Sequence, residues 1–444
     1  MTDVSSLPLP PGSRGLPLVG ETLRFLSDGV NFVESRVERL GPVFRSHILG
    51  RHAAFICGPD ATELFMDDAR VMRAGAMPGN VERLFAGHVL TVLDGEEHRE
   101  RKSFVMAAMT PDALASYVPG IRRLARALLD RLASAGPTAL VPELKKLSIG
   151  TIAEVMFGIS SGPIYEQLAA DYQLIIDGLV AVPVPLPGTA YSKAKKALTR
   201  TLATFAKLIA EHKARPSDDG LARILAATSA KDGKPLADDV VASEVHHVVI
   251  AGFILWTWYV AATRHLAERP ALVAMLRREV DGLPASYGPA ELLALHGLSR
   301  GVMEIQRLTP VLPMVFGRAK TDFAYKGHRI PAGWMVLWAW HSTHIRPEVY
   351  AKPKEFDPGR FDAGRAEHKA HPCAFSPQGA GDPTVTHKCA GHELAPLILR
   401  VFLVELLRGF DVALAPGQDL SADPARLPPE PRSGLVATVT RRAV

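Results

Sequence analysis

The sequence predicts a mainly α protein with a small β lobe. Three observations carry this. From Pro59 to Ala210, apolar residues recur at helical spacing with only short breaks. Near residues 43–57, and again after Pro310, the pattern changes to short strand-like runs punctuated by glycine. Ala237 to Arg269 is the most apolar stretch and reads as one long buried helix; its greasy centre, Val248 to Ala262, is too short to cross a membrane.

In chain order, Leu7-Pro8-Leu9-Pro10-Pro11-Gly12 is an extended proline-rich lead-in. A helix is expected around Val30 to Leu40. A strand pair follows, Val43 to Leu49 and His52 to Cys57, with Gly50-Arg51 at the turn. Pro183 to Gly188 reads as a rigid loop between helices. Lys213 to Pro235 reads as a connector around one short helix. Pro289 to Leu308 is helical. Short strands are expected at Phe323 to Tyr325, His328 to Ile330 and Trp334 to Ala339. Leu394 to Phe410 is an apolar helix, and Leu420 to Arg442 is a proline-rich tail with a closing hairpin. The expected organisation is a single domain over 1–444. Its strand-rich lobe covers about 15–60 and 310–345, and its helical body about 60–310 and 346–444.

Composition narrows the function. The chain has 444 residues, 47% of them hydrophobic, enough to bury a large core and a cofactor. A net charge of +5 from 51 basic and 46 acidic residues makes no basic stripe for nucleic acid. Cys57, Cys373 and Cys389 are odd in number and lack CxxC spacing. That disfavours a disulfide framework or a zinc site and favours a reducing cytosol. No basic-then-apolar leader stands at Met1 to Ser6, so a cytoplasmic protein without a membrane anchor is expected. No G-x-S-x-G elbow is present, which removes the serine-hydrolase reading.

Cys389 is the centre of the chemical reading. It ends a glycine-rich loop, Phe375-Ser376-Pro377-Gln378-Gly379-Ala380-Gly381, continuing to His387-Lys388-Cys389-Ala390-Gly391, and precedes the apolar helix. A helix N-terminus favours thiolate over thiol. A thiolate in an apolar pocket suits redox-active iron. Upstream, Glu304 and Arg307 share a helix face. Arg360, in Asp357-Pro358-Gly359-Arg360-Phe361, is placed to complete a Glu–Arg–Arg network pinning the path to Cys389.

These motifs, in this order, resemble the cytochrome P450 superfamily over nearly the whole chain. The resemblance rests on Gly15-Leu16-Pro17 after the lead-in, the ExxR pair Glu304/Arg307, the Asp357-to-Phe361 box and the loop ending Cys389-Ala390-Gly391. It implies haem b with Cys389 as the proximal metal ligand, and Gly391 in the same cofactor-binding loop. It also implies propionate contacts from His98, Lys102, Arg318 and His387. Lys102 stands where an arginine is usual, a point charge in place of a fork.

The long loop, with Phe375 fourteen residues before Cys389, resembles the fatty-acid peroxygenase branch. Leu84-Phe85-Ala86-Gly87 and Gly317-Arg318-Ala319-Lys320 point the same way. Oxygen-activating members carry an acid–alcohol pair after an Ala-Gly step. Here Ala251-Gly252 is followed by Phe253-Ile254-Leu255, and Thr257 points roughly 200° from the last expected position. The peroxygenases carry an Arg-Pro pair instead; here Ile250 and Ala251 stand there, one turn off the other register. Ile250, Ala251, Gly252 and Phe253 are therefore the expected distal residues. Phe253 is expected to face the haem, and Gly252 to let the helix approach it closely. His246 and His247, one turn earlier, offer acid–base chemistry near neutral pH. The plainer reading has one packed and the other capping or facing solvent.

The leading expectation is a haem-thiolate enzyme that hydroxylates or decarboxylates an apolar, fatty-acid-like small molecule with hydrogen peroxide. The alternatives are an O2-dependent monooxygenase served by a ferredoxin-type electron donor, a hydroperoxide isomerase or dehydratase, and a non-catalytic haem sensor with His246 or His247 as sixth ligand.

Overall fold

The computed structural model describes residues 4–17, 19–423, 426 and 428–443. The polar start read at Met1 to Ser6 therefore lies partly outside the described residues, as do positions 424, 425 and 427 of the tail. The architecture is mainly helical, with one five-stranded sheet and three small ones among the described residues.

The proline-rich lead-in lies along the first strand, where the amide of Arg45 donates to the Pro11 carbonyl at 2.8 Å. The large sheet contains β1 (Val43–Ile48), β2 (Arg51–Ile56), β3 (Val71–Met72), β4 (Val315–Ala319) and β5 (Met335–Trp338). Their order across the sheet is β1-β2-β5-β4-β3, with β2 and β5 parallel. The β1–β2 hairpin pairs Ile48 with Arg51, so its turn is Leu49-Gly50, one residue before the expected place. Both turn residues have positive φ, 51° and 72°, the geometry that matches strand twist in a two-residue hairpin. β4 has no counterpart in the sequence reading. Its glycine and arginine mask a five-residue run whose ladder partners come from distant parts of the chain.

Helix α1 (Gly95–Met106) follows the β1–β3 region. The expected long helix is two. α2 (Asp238–Phe253) ends two residues before a second helix, Trp256–Ala267. The Ser148 hydroxyl donates to the Gly252 carbonyl at 2.9 Å. At this point the ladder tightens: Leu255 bonds back to Gly252 and Trp258 to Leu255, three residues rather than four. By length and composition the combined segment, 238–267, does reach a membrane-crossing size, and 78% of its apolar window is buried inside the protein. It is a core element. The Pro289-to-Leu308 helix also divides, at Leu295. There the Glu279 carboxylate accepts from the amides of Gly297 and Leu298 at 2.9 and 3.0 Å and caps the second piece.

The helical core runs between Pro111–Leu132, Leu140–Phe157, the α2 pair and α3 (Leu394–Gly409). Nearly every residue of α3 is buried, which fits its lack of polar alternation. Phe410 leaves the helix and starts a strand, Phe410–Leu414, paired with Val436–Arg441. The expected closing hairpin is a two-residue ladder, Ala422–Asp423 with Glu430–Pro431.

Candidate active site

Glu304, Arg307 and Arg360 come together with essentially no solvent exposure. Arg307 forks onto Glu304, Nε to Oε2 at 2.7 Å and Nη2 to Oε1 at 2.8 Å. Arg360 Nε reaches the same Oε1 at 3.0 Å, and the Asp357 amide donates to it at 2.9 Å. The remaining guanidinium hydrogens bind carbonyls of the incoming meander, His344, Pro353 and Glu355 for Arg307 and Ala351 and Glu355 for Arg360, and Arg360 Nη1 also pairs with the Glu367 carboxylate at 2.7 Å. Each buried charge is thus paired and hydrogen-bonded, the condition under which such a network holds a chain segment in place.

The meander passes this restraint on to the cysteine loop. His344 Nδ1 bonds the Trp340 carbonyl at 3.0 Å, and its Nε2 accepts from the Ser376 amide at 3.0 Å. Burial pushes its imidazole down to about 3, so the neutral tautomer this bonding needs is kept. Trp340 Nε1 donates to the Ser376 carbonyl, and the Tyr350 hydroxyl to the Ala374 carbonyl. The long stretch before Cys389 is self-bonded: the Thr386 hydroxyl donates to Ala380 and Asp382 carbonyls, and the Cys389 amide to the Gln378 carbonyl at 2.8 Å. Gly379 is required there. Its φ is +86°, and a Cβ would lie 2.9 Å from Met66 Cε.

Cys389 is accessible while seated deep in the protein, so its thiol faces an interior void. Burial pushes that thiol up. The Gly391 amide, the Lys102 ammonium and Gln378 pull the other way without winning. The helix-terminus effect expected from sequence is weak because α3 starts only at Leu394. The Gly391 carbonyl also accepts from Gln378 Nε2 at 3.2 Å, which ties both ends of the loop together.

A cluster of donor groups borders the same loop. His98 and Lys102 lie on α1, both buried. His98 packs against His387, ring centroids 3.8 Å apart and planes tilted by 32°. Burial, then the neighbouring His387, Lys102 and Arg73, hold His98 down at about 3. Lys102 braces the cysteine loop, donating to the Thr386 carbonyl at 2.7 Å and to that of Lys388. An ammonium has three hydrogens, so one remains for an anion. Burial lowers it to about 8. Arg318 has Nη2 at 3.4 Å from Met72 Sδ and leaves Nε without a partner.

Sequence reasoning missed Arg73. It is almost fully buried, lies over the Phe65 ring at 4.1 Å and gives Nη2 to the Phe65 carbonyl. Nothing in Val71-Met72-Arg73-Ala74 signals this, since a lone arginine after a short strand is usually solvated. Asp94 holds the segment by accepting from the amides of Arg73 and Ala74. Burial pushes its carboxyl up, but His387 and those two amides outweigh it and keep it at about 2. Three buried donor atoms here have no partner, Arg73 Nη1, His98 Nδ1 and Arg318 Nε, while His387 Nε2 faces the carboxylates of Asp68 at 3.5 Å and Asp94 at 3.6 Å. Buried orphans of this kind mark a missing partner. A set of donors beside an accessible interior thiol fits an iron porphyrin with two carboxylate side chains.

Opposite lies α2. From Glu244 to Thr263 every residue is buried except Ala251, which is exposed, and His247, which is half-buried. Helical geometry puts Glu244, His247, Ala251 and Leu255 on one stripe. Glu244 at the top of that stripe accepts from Arg101 of α1 at 3.0 Å, so the stripe faces the helix that carries His98 and Lys102. Ala251, not Phe253, is the residue open to the interior. Phe253 points away and lines a small cavity of about 140 Å³ with Lys145, Ile176 and Trp256. Gly252 serves a different neighbour from the one expected: its absent side chain admits Ile152, whose Cγ1 would lie 2.5 Å from a Cβ. Ile250 is buried in the core. The Thr257 hydroxyl is spent on the Ile254 carbonyl at 3.1 Å. His246 is fully bonded, Nδ1 with the Tyr172 hydroxyl at 3.0 Å and Nε2 with the Leu84 carbonyl at 2.9 Å. A larger cleft of about 450 Å³ lies elsewhere, beside Phe410 and Arg442. Two of its cations are paired, Arg442 with Asp281 and Arg277 with Asp411.

This fold and cysteine site define a class of haem-dependent oxidoreductases. The chain belongs to the cytochrome P450 family, whose model matches residues 10–433. It is 30% identical over 426 residues to the putative cytochrome P450 120 of Synechocystis sp., covering 94% of each chain. It is 29% identical to abscisic acid 8'-hydroxylase 3 of Oryza sativa subsp. indica, over 98% of this chain and 87% of that one. Its structure matches retinoic acid-bound cyanobacterial CYP120A1 with a TM-score of 0.91 at 28% identity, covering 98% and 100%. It matches a mutant of cytochrome P450SP alpha with a TM-score of 0.78 at 26% identity, covering 95% and 99%.

Proposed function

We propose that this protein oxidises an apolar, fatty-acid-like carboxylic acid with hydrogen peroxide, using haem b held by Cys389. The observation that carries the reading is the apolar turn of α2 and its exit. Ala251 is open to the interior, its neighbours are Ile250, Ile254 and Leu255, and none of them can relay a proton to bound dioxygen. Peroxide already carries the protons that such a relay would deliver and the two electrons that a redox donor would otherwise supply. The haem supplies the oxidising chemistry, and a thiolate ligand favours O–O cleavage. The chain's own residues do the rest. Arg73, His98 and Arg318 offer unpartnered donors to the propionates, Lys102 offers its third hydrogen, and His387 borders the same cluster beside the Asp94 carboxylate. Val248, Ala251 and Leu255 present an apolar wall that excludes water and orients the substrate body.

The substrate class rests on the relatives, whose names mention retinoic acid and abscisic acid. Oxygen-dependent hydroxylation with a ferredoxin-type donor is the second reading, supported by the relatives named as 8'-hydroxylases. The sensor reading loses its first candidate ligand, since both nitrogens of His246 are engaged.

Turnover of an apolar acid is measured with peroxide alone, and separately with NADPH, ferredoxin and its reductase plus catalase. Product in the first assay supports the proposal. Product only in the second overturns the peroxide part. A Soret shift with the acid but not with its methyl ester supports carboxylate recognition; equal shifts rule it out.

A further inference from the structure

One turn before Ala251 the haem-facing stripe of α2 stops being apolar. Glu244 is wholly buried. Its Oε1 accepts from the Leu90 amide at 2.9 Å and from Arg101 Nη1 at 3.0 Å. Its Oε2 has no hydrogen-bond partner, and His247 Nδ1, also unpartnered and buried, lies 3.5 Å away. The His247 side chain keeps 14% of its surface, beside the Phe85 ring at 6.3 Å between centroids. Its Nε2 is not among the sealed atoms and bonds to no group among the described residues. Thr91, next to Leu90, adds a third buried orphan, its hydroxyl oxygen.

This arrangement has a definite chemistry. A buried carboxylate fixed by a backbone amide and an arginine cannot swing away. Its Oε2 lies 3.5 Å from Nδ1 without yet bonding it, so a small turn of the imidazole lets it take the Nδ1 hydrogen, the tautomer that leaves the Nε2 lone pair as a proton acceptor. Two other buried histidines lack this freedom, because His246 and His344 each have both nitrogens bonded within the protein. His247 alone of the three has a nitrogen turned to accessible space, on the stripe that Ala251 opens.

We propose that His247, positioned by Glu244, is the acid–base group that handles the proton of hydrogen peroxide in the distal pocket. Glu244 is its positioning residue. The inference rests on the peroxide reading above. Nε2 takes the proton from one peroxide oxygen and returns it to the other as the O–O bond breaks. Water leaves, and His247 ends as it began. The overall balance is RH + H2O2 → ROH + H2O, with peroxide reduced and the substrate C–H bond oxidised. No further electron donor is needed.

The test compares the haem-loaded wild type with His247→Gln, which keeps bulk and polarity but carries no exchangeable proton of suitable acidity. The first readout is not turnover. Hydrogen cyanide binds ferric haem as the anion, so its proton must go to a nearby base. Its association rate should fall on the order of 100-fold in His247→Gln, the usual worth of one general base. In the second readout, peroxide-supported kcat falls by a similar factor while KM for the substrate stays within roughly twofold. Unchanged cyanide association would overturn the assignment, as would a matched loss in kcat and substrate affinity with a normal cyanide rate. If His247→Gln does not retain haem, His247→Ala is measured in the same way, with the same outcomes deciding. A wild type inert towards peroxide sinks the oxidant reading alone, because the cyanide comparison does not depend on it.

Discussion

The two faces of the interior void are built on opposite principles. On the proximal side, position is enforced by polar bonds that each demand a particular side chain. Glu304 Oε1 alone takes hydrogen bonds from Arg307, Arg360 and the Asp357 amide. On the distal side, the turn from Ile250 to Leu255 makes no side-chain hydrogen bond of its own, and its position follows from packing and one hydroxyl, that of Ser148. A bonded network tolerates no substitution without stranding a charge. A packed apolar turn tolerates many, so chemistry can change there while the fold persists.

The contrast is broken most severely at the network. Arg307→Ala leaves Glu304 short of its fork and several carbonyls unsatisfied. A loss of about 3–5 kcal/mol is expected, seen as a lower urea midpoint and poor haem retention. A change within about 1 kcal/mol would mean the meander is held by something else.

Gly252→Ala probes the packed side. The new Cβ collides with Ile152, and a cost of about 1–3 kcal/mol is expected. Adding Ile152→Ala should recover part of it. A double-mutant cycle with no coupling would show that the contact is not what seats α2.

Acid acts on both faces at once. Burial lowers His344, on the proximal side, to about 3, and His246, on the distal side, to about 4. The folded state therefore binds fewer protons than the unfolded one below the ordinary histidine value. Stability from these groups is complete above about pH 6.5 and is lost as pH falls towards 4, each contributing about 1.4 kcal/mol per pH unit. Chemical denaturation at stepped pH measures the slope. In His246→Gln it should become shallower; an unchanged slope would remove His246 from the account.

The smallest stability effect is expected at Ala251. Ala251→Leu adds bulk to open space, so stability should stay within about 0.5 kcal/mol. The substrate-induced Soret shift should disappear. Retained binding would mean that the exposed stripe does not border the substrate.

What was legible in the chain follows the same division. Glu304, Arg307, Arg360 and the loop around Cys389 could be read from their motifs, because the paired charges and the glycine-rich run before the cysteine stand in recognisable order along the chain. Val30–Leu40 and the hairpin also matched their local patterns. The break after Phe253 could not be read, since it depends on Ser148, more than a hundred residues away. β4 was hidden because its ladder lies between β3 and β5, and Arg73 because its burial depends on Phe65.

By itself, the sequence determined the helical class, the proximal network and the cysteine loop, where short-range spacing and irreplaceable side-chain chemistry coincide. Only the tertiary structure decided which side of α2 faces the void. Helical period orders residues into stripes but does not say which stripe a distant helix covers. Ile152 closes over Gly252, Phe253 turns outward, and Ala251 and His247 are left open.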